Sequence, residues 1–140
     1  MSTDPSCIFC KIVAGEIPCF KLWEDESSLS FMDINPAAPG HALVIPKGHA
    51  PNLFAMSDDA MGAVARTLRR VSVAIERTVA PDGFSVVQAN GPGAAQSVPH
   101  FHFHMIPRTH GDDLKINWEM KTGQDLDAIR TLAERIRANL

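Results

Sequence analysis

Apolar and polar residues along this chain fall first into short alternating stretches, then into one long helical pattern, then into two more alternating stretches. Lys21–Glu24, Leu29–Met32 and Ala42–Ile45 read as strands, separated by the charged Glu24-Asp25-Glu26 turn and the Asn35-Pro-Ala-Ala-Pro-Gly40 loop. From Ser57 to Thr78 the period changes. Ser57 followed by Asp58 and Asp59 makes a helix start, and Met61, Val64, Ala65, Leu68, Val71 and Ile75 recur at helical spacing. One apolar face is what packing on a core requires, so this stripe calls for no cofactor contact. Phe84–Gln88 and His100–Ile106 are the last two strands, linked through the Gly-rich segment 90–95. Residues 7–14 predict a short helical turn stopped by Gly15 and Pro18, and Asp125–Asn139 a final amphipathic helix. Strands joined by short connections with helices to one side predict an α+β fold, an antiparallel sheet of about five strands.

The last strand carries the chemistry. Residues 96–108 read Gln-Ser-Val-Pro-His-Phe-His-Phe-His-Met-Ile-Pro-Arg. On an extended strand His100, His102 and His104 share one face roughly 6–7 Å apart per step, while Phe101, Phe103 and Met105 turn into a core. The alternative is a strand showing histidines to solvent. Imidazole serves as nucleophile, acid, base or metal ligand near neutral pH, and a reference pKa of about 6.5 leaves much of it unprotonated. A neutral imidazole attacks phosphorus, and the phosphoramidate it forms is labile enough for water to finish the cycle. Such a nucleophile needs its other ring nitrogen held by an acceptor that fixes the tautomer. His102, in the middle of the row, is best placed. Just upstream, Asn90, Gln96 and Ser97 surround Gly91 and Gly93, a loop whose N–H groups can approach an anion closely.

Composition narrows the class. At 140 residues, 45% hydrophobic and 21% charged, the chain is sized for a single domain spanning 1–140, with a flexible lead-in over 1–6 and a motif-bearing core over 7–110. A net charge of −3 argues against a general nucleic-acid binder, so any nucleotide is a small molecule. The opening Met-Ser-Thr-Asp-Pro-Ser has no signal-peptide pattern and no run of about 20 apolar residues occurs, which predicts a soluble cytoplasmic protein without membrane contact. Three cysteines are an odd count and fit a reducing compartment; Cys19 has no evident partner and reads as a buried thiol.

The motifs resemble those of the histidine-triad (HIT) superfamily of nucleotide hydrolases and transferases, nearest its Hint-like branch. The resemblance rests on Cys7-Ile-Phe-Cys10-Lys-Ile, Gly15-Glu-Ile-Pro18, Phe31-Met-Asp33-Ile34-Asn35-Pro36, Pro39-Gly-His41-Ala-Leu-Val-Ile-Pro46-Lys-Gly-His49, Asn90-Gly-Pro-Gly-Ala-Ala-Gln96-Ser97-Val and the histidine run, in one order. It implies a sheet continued across a homodimer and a purine nucleotide substrate, with no organic cofactor. It also implies residue roles: His102 takes up a nucleotidyl group from the α-phosphorus of a nucleoside phosphoramidate or related nucleotide, such as a dinucleoside polyphosphate. His104 and His41 support that step. Asn90, Gln96, Ser97 and His104 contact phosphate, and Asp33 accepts from the ribose hydroxyls. Ile8, Phe9, Ile34 and Leu43 then line a base pocket, although apolar residues are also simply core.

Cys7-x-x-Cys10 has zinc-knuckle spacing, and by analogy with bacterial members of this type it joins His49 and His100 in a structural zinc site, which withdraws His100 from catalysis. A reduced or redox-active pair is the competing account. Two departures stand out. Ala95 occupies a place where the family commonly has Gly, costly if a positive φ is needed, and Pro99 replaces a larger residue. After Pro107 the chain lacks the Trp-Pro-Pro-Gly ending of the eukaryotic Hint type, which leaves the preferred leaving group open. Two other readings stand beside the hydrolase: a zinc hydrolase with all three histidines on the metal, and a noncatalytic nucleotide-binding interaction module.

Overall fold

A computed structural model describes residues 1–116 and 118–140. Its elements are α1 (Ile8–Val13), β1 (Lys21–Glu24), β2 (Ser28–Met32), β3 (Ala42–Pro46), α2 (Asp58–Val79), β4 (Gly83–Val87), β5 (Phe103–Arg108) and α3 (Leu126–Arg137). The five strands form one antiparallel sheet, as the sequence predicts, and their order in it is β1-β2-β3-β5-β4. Helix α2 starts where the sequence places it, with the Ser57 hydroxyl accepting from the Ala60 N–H, and ends at Ala80 in the left-handed conformation just before Pro81.

Both faces of the central strands are covered. Ala42, Val44, Phe101 and Met105 pack with Val64, Val71 and Ile75 of α2. Leu43, Ile45, Leu29 and Phe31 face the other way and pack with Cys7, Phe9 and Cys10 around α1. The long helix is set to one side as expected, and the six-residue α1 closes the opposite face. Ser28 and Ser30, polar positions of β2, are fully buried and satisfied: Ser28 Oγ meets Thr67 Oγ1 at 2.8 Å and Ser30 Oγ donates to the Leu43 carbonyl.

The final strand differs from the prediction at its start. The ladder begins at Phe103, with Leu43 paired to His104 on one side and Val87 to His104 on the other. Residues 100–102 leave it because their backbone is taken elsewhere: the Phe101 N–H donates to the Ala50 carbonyl at 2.7 Å, and Pro99 has no N–H to offer. Phe101 and Met105 are fully buried and Phe103 packs against the same cluster, as the alternation predicts. No helix among the described residues is long and apolar enough to cross a membrane. The C-terminal α3 is exposed along its whole length, its apolar Leu126, Ile129, Leu132 and Ile136 included.

The turn into β3 depends on Gly40. It sits at φ +92°, where a Cβ would come within 3.0 Å of Pro107 and 3.1 Å of Val79. Gly40→Ala is therefore expected to lower unfolding free energy by about 2 kcal/mol, combining left-handed strain with crowding. A urea denaturation midpoint equal to that of the parent would show that the turn relaxes freely.

Candidate active site and metal centre

Three elements bring the polar groups together. His104 comes from β5, His41 from just before β3, and Asp33 from just after β2. His41 Nε2 lies 2.9 Å from His104 Nδ1 and 3.5 Å from Asp33 Oδ2. The Ala37 N–H donates to His41 Nδ1 at 2.9 Å, so the His41 proton sits on Nε2 and is donated to His104 Nδ1. His104 then carries its own proton on Nε2. For His102, the Nδ1–H donates to the His100 carbonyl at 2.7 Å, which leaves Nε2 as a lone pair. The tautomers of both residues follow from backbone groups that no sequence motif reveals.

His102 and His104 have ring centroids 4.9 Å apart and line one cavity of about 380 Å³, within the usual range for a small-molecule site. Asp33, Ile34, Ile8, Phe9, Leu43 and Ser97 line it too. Ile34 is 75% exposed and Ile8 47% exposed, so neither is core; both form an apolar rim, whereas Phe9 and Leu43 are buried walls. Cys19 is half-buried rather than buried and belongs to the same wall, its thiol pushed up by burial.

Asn90 and Gln96 lie outside that lining and are occupied within the loop. Asn90 Oδ1 accepts from the Leu53 N–H and its amide donates to Gln88. Gln96 Oε1 accepts from the Gly91 N–H while its amide donates to the Pro51 and Val98 carbonyls. These two side chains brace the Gly-rich loop, and Ser97 is the member of the group that reaches the cavity. Ala95 has φ +59°, so the position does require the left-handed conformation at which Gly costs nothing.

His100 turns away from the row. Its Nε2–H donates to the Pro46 carbonyl at 2.9 Å, and its Nδ1 faces Cys7 Sγ at 3.4 Å, Cys10 Sγ at 3.6 Å and His49 Nδ1 at 3.3 Å. Cys10 Sγ lies 3.4 Å from His49 Nδ1. Zinc bonds of about 2.3 Å to sulfur and 2.0–2.1 Å to nitrogen give tetrahedron edges of about 3.5 Å between S and N and about 3.3 Å between two N. The donor set and its spacing therefore fit zinc. Residues 1–6 are placed beside this cluster: the Ser2 hydroxyl donates to the His49 carbonyl, and the Asp4 N–H points at Cys10 Sγ at 3.4 Å.

Residues 14–111 match the HIT domain, and the chain belongs to the HIT family. It is 46% identical over 114 residues to the adenosine 5'-monophosphoramidase hnt1 of Schizosaccharomyces pombe, covering 81% of this chain and 83% of that protein. Among solved structures it resembles a HIT family protein from Bacillus anthracis at a TM-score of 0.94 and 35% identity, over 99% of both chains. A zinc-bound histidine triad family protein from Mycobacterium smegmatis matches at a TM-score of 0.73 and 31% identity, over 96% of this chain and 98% of that one.

Burial holds the site histidines neutral. It depresses His104 to about 4, helped by the neighbouring His102 and His41; it lowers His41 against the pull of Asp33, and His102 against its bond to the His100 carbonyl and the pull of Asp33. A histidine whose folded pKa lies below its unfolded value of about 6.5 contributes stability in full above that pH and loses it as the pH falls toward the folded value. Melting temperature is therefore expected to fall on acidification from pH 6.5 to 4, and His104→Gln to flatten that slope. An unchanged slope in the variant would show that His104 is not a titrating contributor.

Proposed function

We propose that this HIT-family enzyme hydrolyses purine nucleoside 5′-phosphoramidates and related nucleotides through a covalent nucleotidyl group on His102. The observation that carries the reading is the 2.7 Å bond from His102 Nδ1 to the His100 carbonyl, which leaves Nε2 as the free lone pair at the cavity. Nε2 attacks the α-phosphorus, a P–N bond to His102 forms, and the bond to the leaving amine breaks. His104 Nε2–H is the donor available to the leaving group or a phosphoryl oxygen, and His41 holds that tautomer. Water then cleaves the nucleotidyl-histidine, releasing the nucleoside monophosphate and restoring the imidazole. Asp33 Oδ2 accepts from ribose, the braced 90–96 loop and Ser97 meet phosphate, and the apolar rim takes the base. The S. pombe relative's phosphoramidase activity supports this substrate class.

The zinc-hydrolase alternative finds no support in geometry. His100, His102 and His104 direct Nδ1 to the cysteine cluster, a backbone carbonyl and His41 respectively, so their lone pairs do not converge. Zinc belongs instead with Cys7, Cys10, His49 and His100, where it ties the N-terminal segment to the chain just after β3 and just before β5. A homodimer accounts for the C-terminal arm, whose Trp118, Met120 and α3 apolar residues find no cover in their own chain among the described residues. The protein is proposed to work in the cytoplasm, where its three thiols stay reduced.

His102→Ala is expected to lower kcat on adenosine 5′-phosphoramidate at least about a thousandfold while keeping AMP binding. A rate near wild type would remove the covalent mechanism. Asp33→Ala is expected to weaken AMP roughly ten- to a hundredfold and leave 2′,3′-dideoxy-AMP little changed, since a charge-assisted bond is lost only in the former. Equal weakening of both, measured by calorimetry, would assign Asp33 to structure.

A further inference from the structure

We propose that the Cys7, Cys10, His49 and His100 cluster, when metal-loaded, positions the nucleophile, with Phe9 as the positioning side chain between metal centre and active site. The proposal rests on the nucleotidyl-transfer reading only for what His102 does chemically.

Two physical routes join the sites. The first is through backbone. The His100 ring is held at both nitrogens, Nε2 by the Pro46 carbonyl at 2.9 Å and Nδ1 by the cluster, and its own carbonyl takes the His102 Nδ1–H at 2.7 Å. The group that fixes the tautomer and direction of His102 thus belongs to a residue anchored in the metal site. The second route is through α1. Cys7 is its N-cap, Cys10 lies one turn on, and Phe9 between them is buried. The Phe9 ring meets His102 edge to face at 5.3 Å and 89°, and meets His100 at 5.8 Å and 71°. No other aromatic ring touches both histidines among the described residues.

A six-residue helix is far below the length that stands alone in water, so α1 holds its place through what it binds and buries. The cluster supplies two of those attachments. Ile8, Phe9 and Ile12 of the same helix form one wall of the nucleotide cavity. Loss of the metal would therefore loosen the cavity wall, the edge contact on His102 and the anchor of the His100 carbonyl together. A displacement of the nucleophile by about an ångström is worth up to about a hundredfold in rate.

The test compares zinc-loaded full-length protein, the same protein stripped by chelator under reducing conditions, and zinc-loaded Phe9→Leu. Readouts are zinc content, far-UV circular dichroism, kcat and KM on adenosine 5′-phosphoramidate, AMP affinity by calorimetry, and the His102 Nδ1–H signal in nuclear magnetic resonance. Stripping should lower kcat roughly ten- to a hundredfold, weaken AMP and broaden the His102 signal, and added zinc should restore all three. Phe9→Leu should keep one zinc per chain yet lower kcat and shift the His102 signal, because bulk remains while the edge contact is lost. A stripped, folded protein with wild-type kcat, AMP affinity and His102 signal would overturn the proposal, as would protein purified without chelator that holds no zinc. Should stripping unfold the chain, Phe9→Leu decides: a change confined to KM, or none, overturns it. If the wild type turns over no phosphoramidate, the nucleotidyl-transfer reading fails, while AMP affinity and the His102 signal still decide the positioning claim.

Discussion

The hydrogen bond from His102 Nδ1 to the His100 carbonyl is the contact on which the rest of this site depends. It sets the His102 tautomer, directs Nε2 at the cavity and makes one backbone group common to two side-chain clusters of different chemistry. The three histidines do not form a row. His100 is turned by the Pro46 carbonyl toward sulfur, while His102 and His104 stay on the cavity face.

Desolvation gives this arrangement its chemical character. Buried imidazoles are kept neutral, and a neutral ring must have each nitrogen either donating or accepting. The fold meets that demand with carbonyls at His100 and His102 and with a relay from the Ala37 N–H through His41 to His104. The relay leaves each ring in one protonation pattern before any ligand arrives. The Gly-rich loop follows the same logic. Gln96 and Asn90 use their amides to hold the loop shut on Pro51, Val98, Leu53 and Gln88, and the strained Ala95 lets the chain turn there.

The elements and their order were legible because they rest on local signals. The Ser57 cap and the Met61 to Ile75 stripe define α2, and alternation defines β1 to β4. The start of β5 was not legible, since the departure of residues 100–102 is decided by the Ala50 carbonyl, a partner distant in sequence. Candidate roles for His102, His104, His41 and Asp33 came from the resemblance to the HIT family; the fold sets Asp33, His102 and His104 around one cavity, with His41 behind them in contact with His104 and Asp33. Cys19 was misplaced because nothing local tells a core wall from a cavity wall.

By itself the sequence determined the α+β class, the helix and strand identities, the histidine row and the Cys-x-x-Cys pair, because periodicity, capping and motif spacing are properties of neighbouring residues. The family resemblance named Cys7, Cys10, His49 and His100 as one set, and only the tertiary structure decided which nitrogen of each histidine is free and that Phe9 sits against His102. Those outcomes depend on which backbone carbonyls and N–H groups arrive within about 3 Å of each ring. For His100 the partners come from far along the chain, Pro46 54 residues away and Cys7 93, whereas the backbone partners of His102 and His41 are 2 and 4 residues away and depend on how the chain turns there.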